Sequence, residues 1–285
     1  MSTFSVTAFG SPIACLYEPF DRGMAQPIGD TLSSVKQLSP QAANILDLGS
    51  GPGEPGCTLA AAFPSATVIC SDVAQAMADI ASARAKSKGL ENVATMVLDL
   101  ADLSAIPSSS QDVATANFAI MTTANLADAL REVERVLRPG GFFIGTVWHS
   151  FSVPLLASQV MTELLHNPLE PPAVDPMRPT MTEPALLDAA FAAAGLSAVE
   201  GHNTLGEITF DLGPVLGPSA WKSLLISHLA RLELLEASGA ATVEHIQATV
   251  EKVAAARGLI KEGRLQCPGI YRTFRTRKKR KGLSL

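Results

Sequence analysis

Aromatic residues and paired cysteines are scarce in this sequence. Of its 285 residues, 5% are aromatic and 17% are charged, whereas 47% are apolar. The apolar fraction excludes a disordered chain, and 21 glycines and 19 prolines without a repeating period exclude a collagen-like one. The four cysteines form no C-x-x-C pair, which argues against a zinc ribbon or a disulfide framework and favours a reducing compartment. These cysteines are Cys15, Cys57, Cys70 and Cys267.

Long apolar runs and a charged leader are also missing. No run reaches about 18 uninterrupted apolar residues, so the sequence predicts no membrane span. No basic residue precedes Arg22, so the charged start of a secretory or mitochondrial signal is lacking. Residues 1–16 contain Ser and Thr and no acid, which leaves a plastid transit peptide open. We expect a cytoplasmic protein.

The formal charge of −5 is unevenly distributed. Residues 272–285 carry seven Lys or Arg and no acid, so the preceding chain has 15 basic and 27 acidic residues. An acidic body argues against an enzyme that binds nucleic acid through a broad basic face. We interpret the basic tail as a solvated terminus, with an anion or nuclear-import contact as the alternative.

Short apolar strands alternate with amphipathic helices between residues 44 and 148. The sequence predicts strands at 44–48, 66–72, 93–98, 112–118 and 142–148, and helices beginning at Cys57 and covering 74–88 and 126–137. Repeated strand–helix pairs with continuous apolar strands are typical of a parallel sheet covered on both faces. We therefore predict an α/β protein with a Rossmann-like, doubly wound, mostly parallel sheet of seven strands.

The remaining chain is less regular. A proline-rich connection covers 167–184, followed by a helix at about 183–194, a strand at about 196–200, two helices at about 219–237 and 242–257, and a last strand at about 269–277. We predict five parts: an N-terminal lid (1–30), a cofactor-binding core (31–150), helical cap insertions (151–182 and 213–262), the remaining core strands (183–212), and a last strand with the basic tail (263–285).

A glycine-rich loop joins the first strand to its helix. Asp47-Leu48-Gly49-Ser50-Gly51-Pro52-Gly53 allows positive φ angles and lets a ligand approach the backbone closely. Residues 51–56 also fit the G-x-G-x-x-G pattern of dinucleotide sites. Against that interpretation, Pro52 and Pro55 remove amide donors for a pyrophosphate, and Asp47 is better suited to an ammonium or sulfonium ligand.

This loop and its neighbours resemble the class I S-adenosylmethionine-dependent methyltransferases, specifically the small-molecule branch that includes the quinone-biosynthesis type. Ile45 to Gly53 (ILDLGSGPG) is similar to the first motif of that family. Residues 112–121 and 129–141 look like its fourth strand and the helix and turn before its fifth strand. The resemblance covers about 40–150, extends weakly through 183–203 and 263–279, and leaves the helices at 218–257 without a counterpart.

The resemblance implies a set of cofactor-binding residues, with S-adenosyl-L-methionine as cofactor and S-adenosyl-L-homocysteine as product. Asp72 is similar to the acid that binds the ribose, and a carboxylate at a strand end is suited to accept from two hydroxyls. Asp99 matches the acid that contacts the adenine amino group. The predicted cofactor residues are Asp47, Gly49, Ser50, Gly51, Gly53, Asp72, Val73, Met77, Asp99, Leu100 and Asn117.

Several of these residues have a structural alternative. Asp72 could cap the following helix, and Asp47 and Asp99 could stabilise their own turns. Met77 could belong to the helix core instead of packing on adenine.

The methyl acceptor is expected to be a small molecule with an O, N, S or C nucleophile. Transfer from a sulfonium is an in-line displacement, in which the protein aligns the reactants and excludes water. His149 and Tyr17 are the candidate catalytic residues, and Trp148, His149, Arg22 and Trp221 are the predicted substrate pocket. The other histidines have no metal-ligand spacing, so no metal is predicted. These are His166, His202, His228 and His245.

Other functions compete with methyl transfer. The same glycine loop could serve a non-catalytic cofactor-binding protein or an NAD(P)-dependent oxidoreductase. A nucleic-acid methyltransferase rests on the basic tail alone and lacks the Asn/Asp-Pro-Pro-aromatic tetrad, since Asn117-Phe118-Ala119-Ile120 follows the fourth strand. We expect a monomer or a homodimer.

Overall fold

The computed structural model describes residues 23–166, 178–225 and 228–280, and the fold is given for these residues. The strands are β1 Asn44–Leu48, β2 Thr67–Asp72, β3 Val93–Val97, β4 Gln111–Asn117, β5 Leu137–Phe151, β6 Leu196–Ala198, β7 Thr204–Pro214, β8 Ile260–Lys261 and β9 Arg264–Lys278. The helices are α1 Ala25–Leu38, α2 Gly56–Ala62, α3 Gln75–Ser87, α4 Leu126–Val136, α5 Ser152–Leu165, α6 Pro179–Thr182, α7 Pro184–Ala193, α8 Pro218–Leu224, α9 Leu229–Ala237 and α10 Val243–Ala256. A 3₁₀ turn covers Ile120–Thr122.

One sheet contains all these strands, in the order β3-β2-β1-β4-β5-β9-β6, and β7 and β8 pair with β9. Strands β1 to β5 pair in parallel, and β6 is antiparallel to β9. This confirms the predicted Rossmann-like α/β fold. The predicted count of seven strands holds for the main order only, since β7 and β8 bring the described sheet to nine. Because β1 to β5 are parallel, their carboxyl ends share one edge, where such sheets bind ligands.

By backbone contacts the described residues divide into two compact units. The core unit consists of 26–149, 178–206 and 271–280, and the second unit consists of 23–25, 150–166, 207–225 and 228–270. The core unit contains β1 to β4 and α2 to α4 in full. The second unit contains α5 and α8 to α10.

The hydrophobic core of the core unit lies between β1, β2, β4 and the helices α1 and α2. Its buried side chains come from every one of these elements, with Val35 on α1 and Leu59 on α2 fully buried against the strand residues Ile45, Val68 and Val113. α4 packs on the sheet through one apolar stripe, since Ala129, Leu130, Val133 and Val136 are buried at helical spacing. Its first turn is capped by the Asn125 side chain, which accepts from the Asp128 amide.

Three local predictions were wrong. The turn expected at 139–141 belongs to β5, which begins at Leu137, and the pairing with β4 shifts register there. The helix expected at 219–237 is divided into α8 and α9. A strand, β7, occupies 204–214, where none was expected, and its side chains Ile208, Phe210 and Leu212 are buried in alternation. Among the described helices, none has both the length and the apolarity that a membrane crossing requires.

Candidate cofactor and acceptor site

The glycine loop, residues 49–53, leaves β1 at the carboxyl edge of the sheet. Gly49, Gly51 and Gly53 have φ angles of 61°, 52° and 102°, in the left-handed region that favours glycine. The Ser50 amide donates to the Ser71 carbonyl over 2.7 Å, and the Ser50 carbonyl accepts from the Gly53 amide over 2.9 Å. The loop is therefore held against β2 in a conformation that depends on its glycines.

Gly49 and Gly51 differ in the space that a side chain would have. A Cβ atom at Gly49 would lie 2.5 Å from Ala119 Cβ, so Gly49 is required for packing. A Cβ atom at Gly51 would have no neighbour within 4 Å. The backbone at Gly51 therefore borders open space, which a ligand could approach closely.

Asp72 ends β2 beside that space. Its Oδ2 accepts from the Gly51 amide over 3.0 Å, and its Oδ1 accepts from the Ala74 amide over 3.0 Å. The carboxylate thus caps the following turn and also binds the glycine loop, and each oxygen keeps acceptor capacity. A half-buried carboxylate with both oxygens in part available suits the paired hydroxyls of a ribose.

Asp47 lies beneath the loop. It is fully buried, its Oδ2 accepts from the Gly56 amide over 2.8 Å, and its Oδ1 accepts from the Thr115 hydroxyl over 2.6 Å. Burial raises the pKa of Asp47 to about 7, although both hydrogen bonds oppose this shift. Asp47 thus joins the start of α2 to β4, and its predicted contact with the cofactor stays a prediction.

The other predicted cofactor residues near β2 and β3 differ in exposure. Asp99 is exposed and accepts from the Ala101 amide over 2.8 Å. Leu100 is buried, and its Cδ1 lies 4.0 Å from the position that a Cβ atom at Gly49 would take. Val73 is 61% exposed, whereas Met77 is buried. Their contact with adenine stays a prediction.

Asn117 joins the carboxyl end of β4 to α1. Its Oδ1 accepts from the Thr31 hydroxyl over 2.8 Å, and its Nδ2 donates to the Pro27 carbonyl over 3.4 Å. Sequence reasoning assigned no role to Pro27 or Thr31, because the pairing of α1 with β4 joins residues 86 and 90 positions apart. The first half of α1 therefore borders the candidate site.

Aromatic side chains lie directly after β4 and in the last residues of β5, at the carboxyl edge of the sheet. Phe118 has a φ of 56° and stacks on Trp148 with 4.2 Å between ring centroids. Tyr271 meets the Phe118 ring edge-on at 6.2 Å and donates its hydroxyl to Asp30. Burial is the main cause that raises the pKa of Tyr271, so the phenol stays protonated. Trp148 was predicted to line the substrate pocket, whereas Phe118 and Tyr271 carried no local signal that marked them.

His149 contacts a neighbouring short helix. Its Nδ1 lies 3.1 Å from the carbonyl oxygen of Thr182, on α6. A carbonyl can only accept, so Nδ1 carries a proton, and in the neutral form of the ring the lone pair is then on Nε2. This tautomer is compatible with the predicted role as a base.

Tyr17, Arg22 and Trp221 are the other predicted catalytic and pocket residues. Tyr17 and Arg22 fall outside the described residues. Trp221 is buried in the second unit, and the Lys222 ammonium lies 5.4 Å from its ring centroid. Their roles stay predictions. In the described part of the chain, no three His, Cys, Asp or Glu side chains are grouped so as to hold a metal ion.

Comparisons with known proteins identify the family. Residues 45–141 match the family described as methyltransferase domain. Ribosomal RNA small subunit methyltransferase G of Methylibium petroleiphilum is 31% identical over 54% of this chain and 69% of that protein. Trans-aconitate 2-methyltransferase of Methylobacterium radiotolerans is 28% identical over 82% of this chain and 77% of that protein. The chain belongs to the class I S-adenosylmethionine-dependent methyltransferases, and its cofactor is S-adenosylmethionine.

Not every relative is matched over its whole length. Malonyl-[acyl-carrier protein] O-methyltransferase of Methylococcus capsulatus is 33% identical over 41% of this chain, and the match spans 42% of that protein. Among solved structures, the YcgJ protein of Bacillus subtilis has a TM-score of 0.57 at 21% identity, with 89% of this chain and all of that chain covered. This likeness shows the fold alone.

The described residues fit this cofactor. A Cβ atom at Gly51 would meet no atom within 4 Å, so a ligand could approach the backbone there, and the Asp72 carboxylate is next to it through the 3.0 Å bond to the Gly51 amide. Acceptor oxygens next to a bare backbone match the hydroxyl donors of a ribose.

Proposed function

We propose that this protein transfers a methyl group from S-adenosylmethionine to a small-molecule acceptor by in-line displacement. The observation that carries the proposal is the open backbone at Gly51, joined to the Asp72 carboxylate by a 3.0 Å hydrogen bond. The cofactor supplies a methyl group that is already activated on a sulfonium. The protein therefore has to bind, align and desolvate the reactants.

The residues around the loop have separate roles in binding, alignment and desolvation. Asp72 holds the ribose, and the glycine loop positions the nucleoside on the sheet edge. Phe118 and Trp148 provide an apolar wall at the carboxyl ends of β4 and β5, where water would compete with the acceptor. His149, with its lone pair on Nε2, is the group available to take a proton from an acceptor that must lose one.

A small acceptor is favoured over a nucleic acid. Of the relatives reported above, one is named for ribosomal RNA, one for the small molecule trans-aconitate, and one for malonyl-[acyl-carrier protein], in which a protein carries the malonyl group. Before residue 272, acids outnumber basic residues by 27 to 15, so a broad phosphate-binding face has no support in the composition.

The experiment is methyl transfer from labelled S-adenosylmethionine into a cell extract divided by size. We expect label in the small-molecule fraction, and loss of that label with Gly51→Ala but not with Gly89→Ala. Label found only in RNA or protein would contradict the proposed acceptor class. In a parallel thermal-shift assay, stabilisation by NADPH but not by S-adenosylhomocysteine would favour the oxidoreductase alternative.

A further inference from the structure

The side chain of Arg272, on β9, is an incompletely paired cation in the interior of the core unit. The residue is fully buried, and Nη2 donates to the Met181 carbonyl over 2.7 Å. Its Nε and Nη1 have no hydrogen-bond partner among the described residues. One N–H on Nε and two on Nη1 therefore remain unsatisfied, which is costly for a buried guanidinium.

No acid in the described chain neutralises this guanidinium directly. The charge of Asp188 acts on it electrostatically, but the two Asp188 oxygens accept from His202 Nε2 over 2.7 Å and from Asn203 Nδ2 over 3.0 Å. Burial lowers the pKa of Arg272 below its ordinary value, and the Asp188 charge opposes this shift. Two residues along β9, on the same strand face, Phe274 packs on Phe143 and Phe191, so Arg272 has an aromatic cluster beside it on this face.

The guanidinium lies beside the acceptor side of the candidate site. Arg272 and His149 bind adjacent carbonyls of α6, those of Met181 and Thr182. Arg178, at the start of α6, donates to the Met121 and Thr123 carbonyls, in and after the 3₁₀ turn that follows β4. The cation is thus connected through α6 to His149 and to the carboxyl end of β4.

We propose that Arg272 binds a carboxylate of the methyl acceptor, which makes small carboxylic acids the acceptor class. This inference rests on the proposed function. A planar carboxylate can take two parallel N–H bonds from one edge of a guanidinium. A monoanion would neutralise the buried cation, whereas a phosphate dianion would leave a buried negative charge. Because the guanidinium is covered in this structure, α6 has to move for the acceptor to enter.

The first test measures binding of acetate, the probe carboxylate, by thermal shift of the protein saturated with S-adenosylhomocysteine, against sodium chloride of equal ionic strength. We expect saturable stabilisation of wild type, with a half-saturation concentration at least tenfold higher in Arg272→Gln. Arg131→Gln is the matched control, since Arg131 is exposed and pairs with Asp128 on the surface of α4. Equal acetate saturation in Arg272→Gln, or equal stabilisation by phosphate, would overturn the proposal.

The second test asks whether Arg272 has a structural role. Arg272→Met removes an uncompensated buried charge, so we expect a higher melting temperature and unchanged affinity for S-adenosylhomocysteine. A lower melting temperature together with weaker S-adenosylhomocysteine binding would show a structural cation and overturn the proposal. Failure of wild type to bind S-adenosylhomocysteine would instead reject the proposed function.

Discussion

The Gly51 amide donates to Asp72 Oδ2 over 3.0 Å, so the loop after β1 is closed by an acid 21 residues further along the chain. The same carboxylate caps the turn before α3 through the Ala74 amide. The predicted ribose contact is compatible with both bonds, whereas the structural alternative of a helix cap is not met, since the N-cap of α3 is Ala74 and has no side-chain cap bond. We therefore expect cofactor binding at Asp72 to depend on the conformation of the glycine loop.

Asp72→Ala should weaken binding of S-adenosylhomocysteine by about 1.5–3 kcal/mol, because a charged acceptor is lost at the sugar. This corresponds to roughly a tenfold to hundredfold rise in Kd by calorimetry. The control is Asp79→Ala, since Asp79 is exposed on α3 and bonds only the Gln75 side chain among the contacts described. Equal affinity of the Asp72→Ala and Asp79→Ala proteins would place the ribose elsewhere.

Gly51→Ala should fold, because the added methyl meets no atom within 4 Å, with about 1 kcal/mol of strain from its φ of 52°. The methyl would occupy space beside the backbone that the nucleoside needs, so we expect at least tenfold weaker S-adenosylhomocysteine binding. Gly89→Ala has a similar φ of 65° and the same open surroundings away from the loop. Gly89→Ala should lose similar stability and keep its affinity for S-adenosylhomocysteine. Weaker binding by Gly89→Ala, with unchanged binding by Gly51→Ala, would exclude the loop from the binding site.

The fully buried Asp47 should make stability depend on pH. Its pKa rises from 3.8 to about 7 on folding, so between these values the folded state binds more protons than the unfolded state. Stability therefore falls as pH rises from about 4 to 7 and levels off above, with an upper limit of about 4 kcal/mol.

Asp47→Asn tests this dependence, because an amide can accept from the Gly56 amide and donate to the Thr115 hydroxyl without a charge. In urea unfolding, the free energy of unfolding of the variant relative to that of wild type should be higher at pH 8 than at pH 5. A stability difference that does not change with pH would contradict the account of Asp47.

The hydrogen bond between Thr31 and Asn117 should couple α1 to the sheet edge. A double-mutant cycle with Thr31→Val and Asn117→Ala should give an interaction free energy of about 1 kcal/mol in urea unfolding. The buried hydroxyl leaves little access for water to replace the bond. An interaction free energy of zero would show that the two elements are held independently.

The sequence was most informative where structure depends on neighbours along the chain. The glycine loop and the strand-ending Asp72 follow from local patterns, and the parallel sheet follows from repeated apolar strands. For β7, a local signal was present but overlooked: Ile208, Phe210 and Leu212 alternate in the sequence with the polar residues Glu207, Thr209 and Asp211.

Other features depend on contacts that no local pattern contains. Asp47 turns inward because Gly56 and Thr115 supply its donors, and Thr115 lies 68 residues away. In the sequence Arg272 is one of several basic residues of β9, and only the folded chain shows that it is fully buried, with two of its nitrogens unpartnered among the described residues. The hydrogen bonds of Thr31 and Pro27, on α1, with Asn117 likewise form only once the sheet is assembled.

Hydrogen–deuterium exchange of wild type with and without S-adenosylhomocysteine tests the central claim most directly. If the nucleoside lies on the glycine loop, amides in residues 49–53 and 72–77 should exchange more slowly once the ligand is bound. Tight binding that leaves both segments unchanged and protects another part of the chain would contradict the assignment of this site.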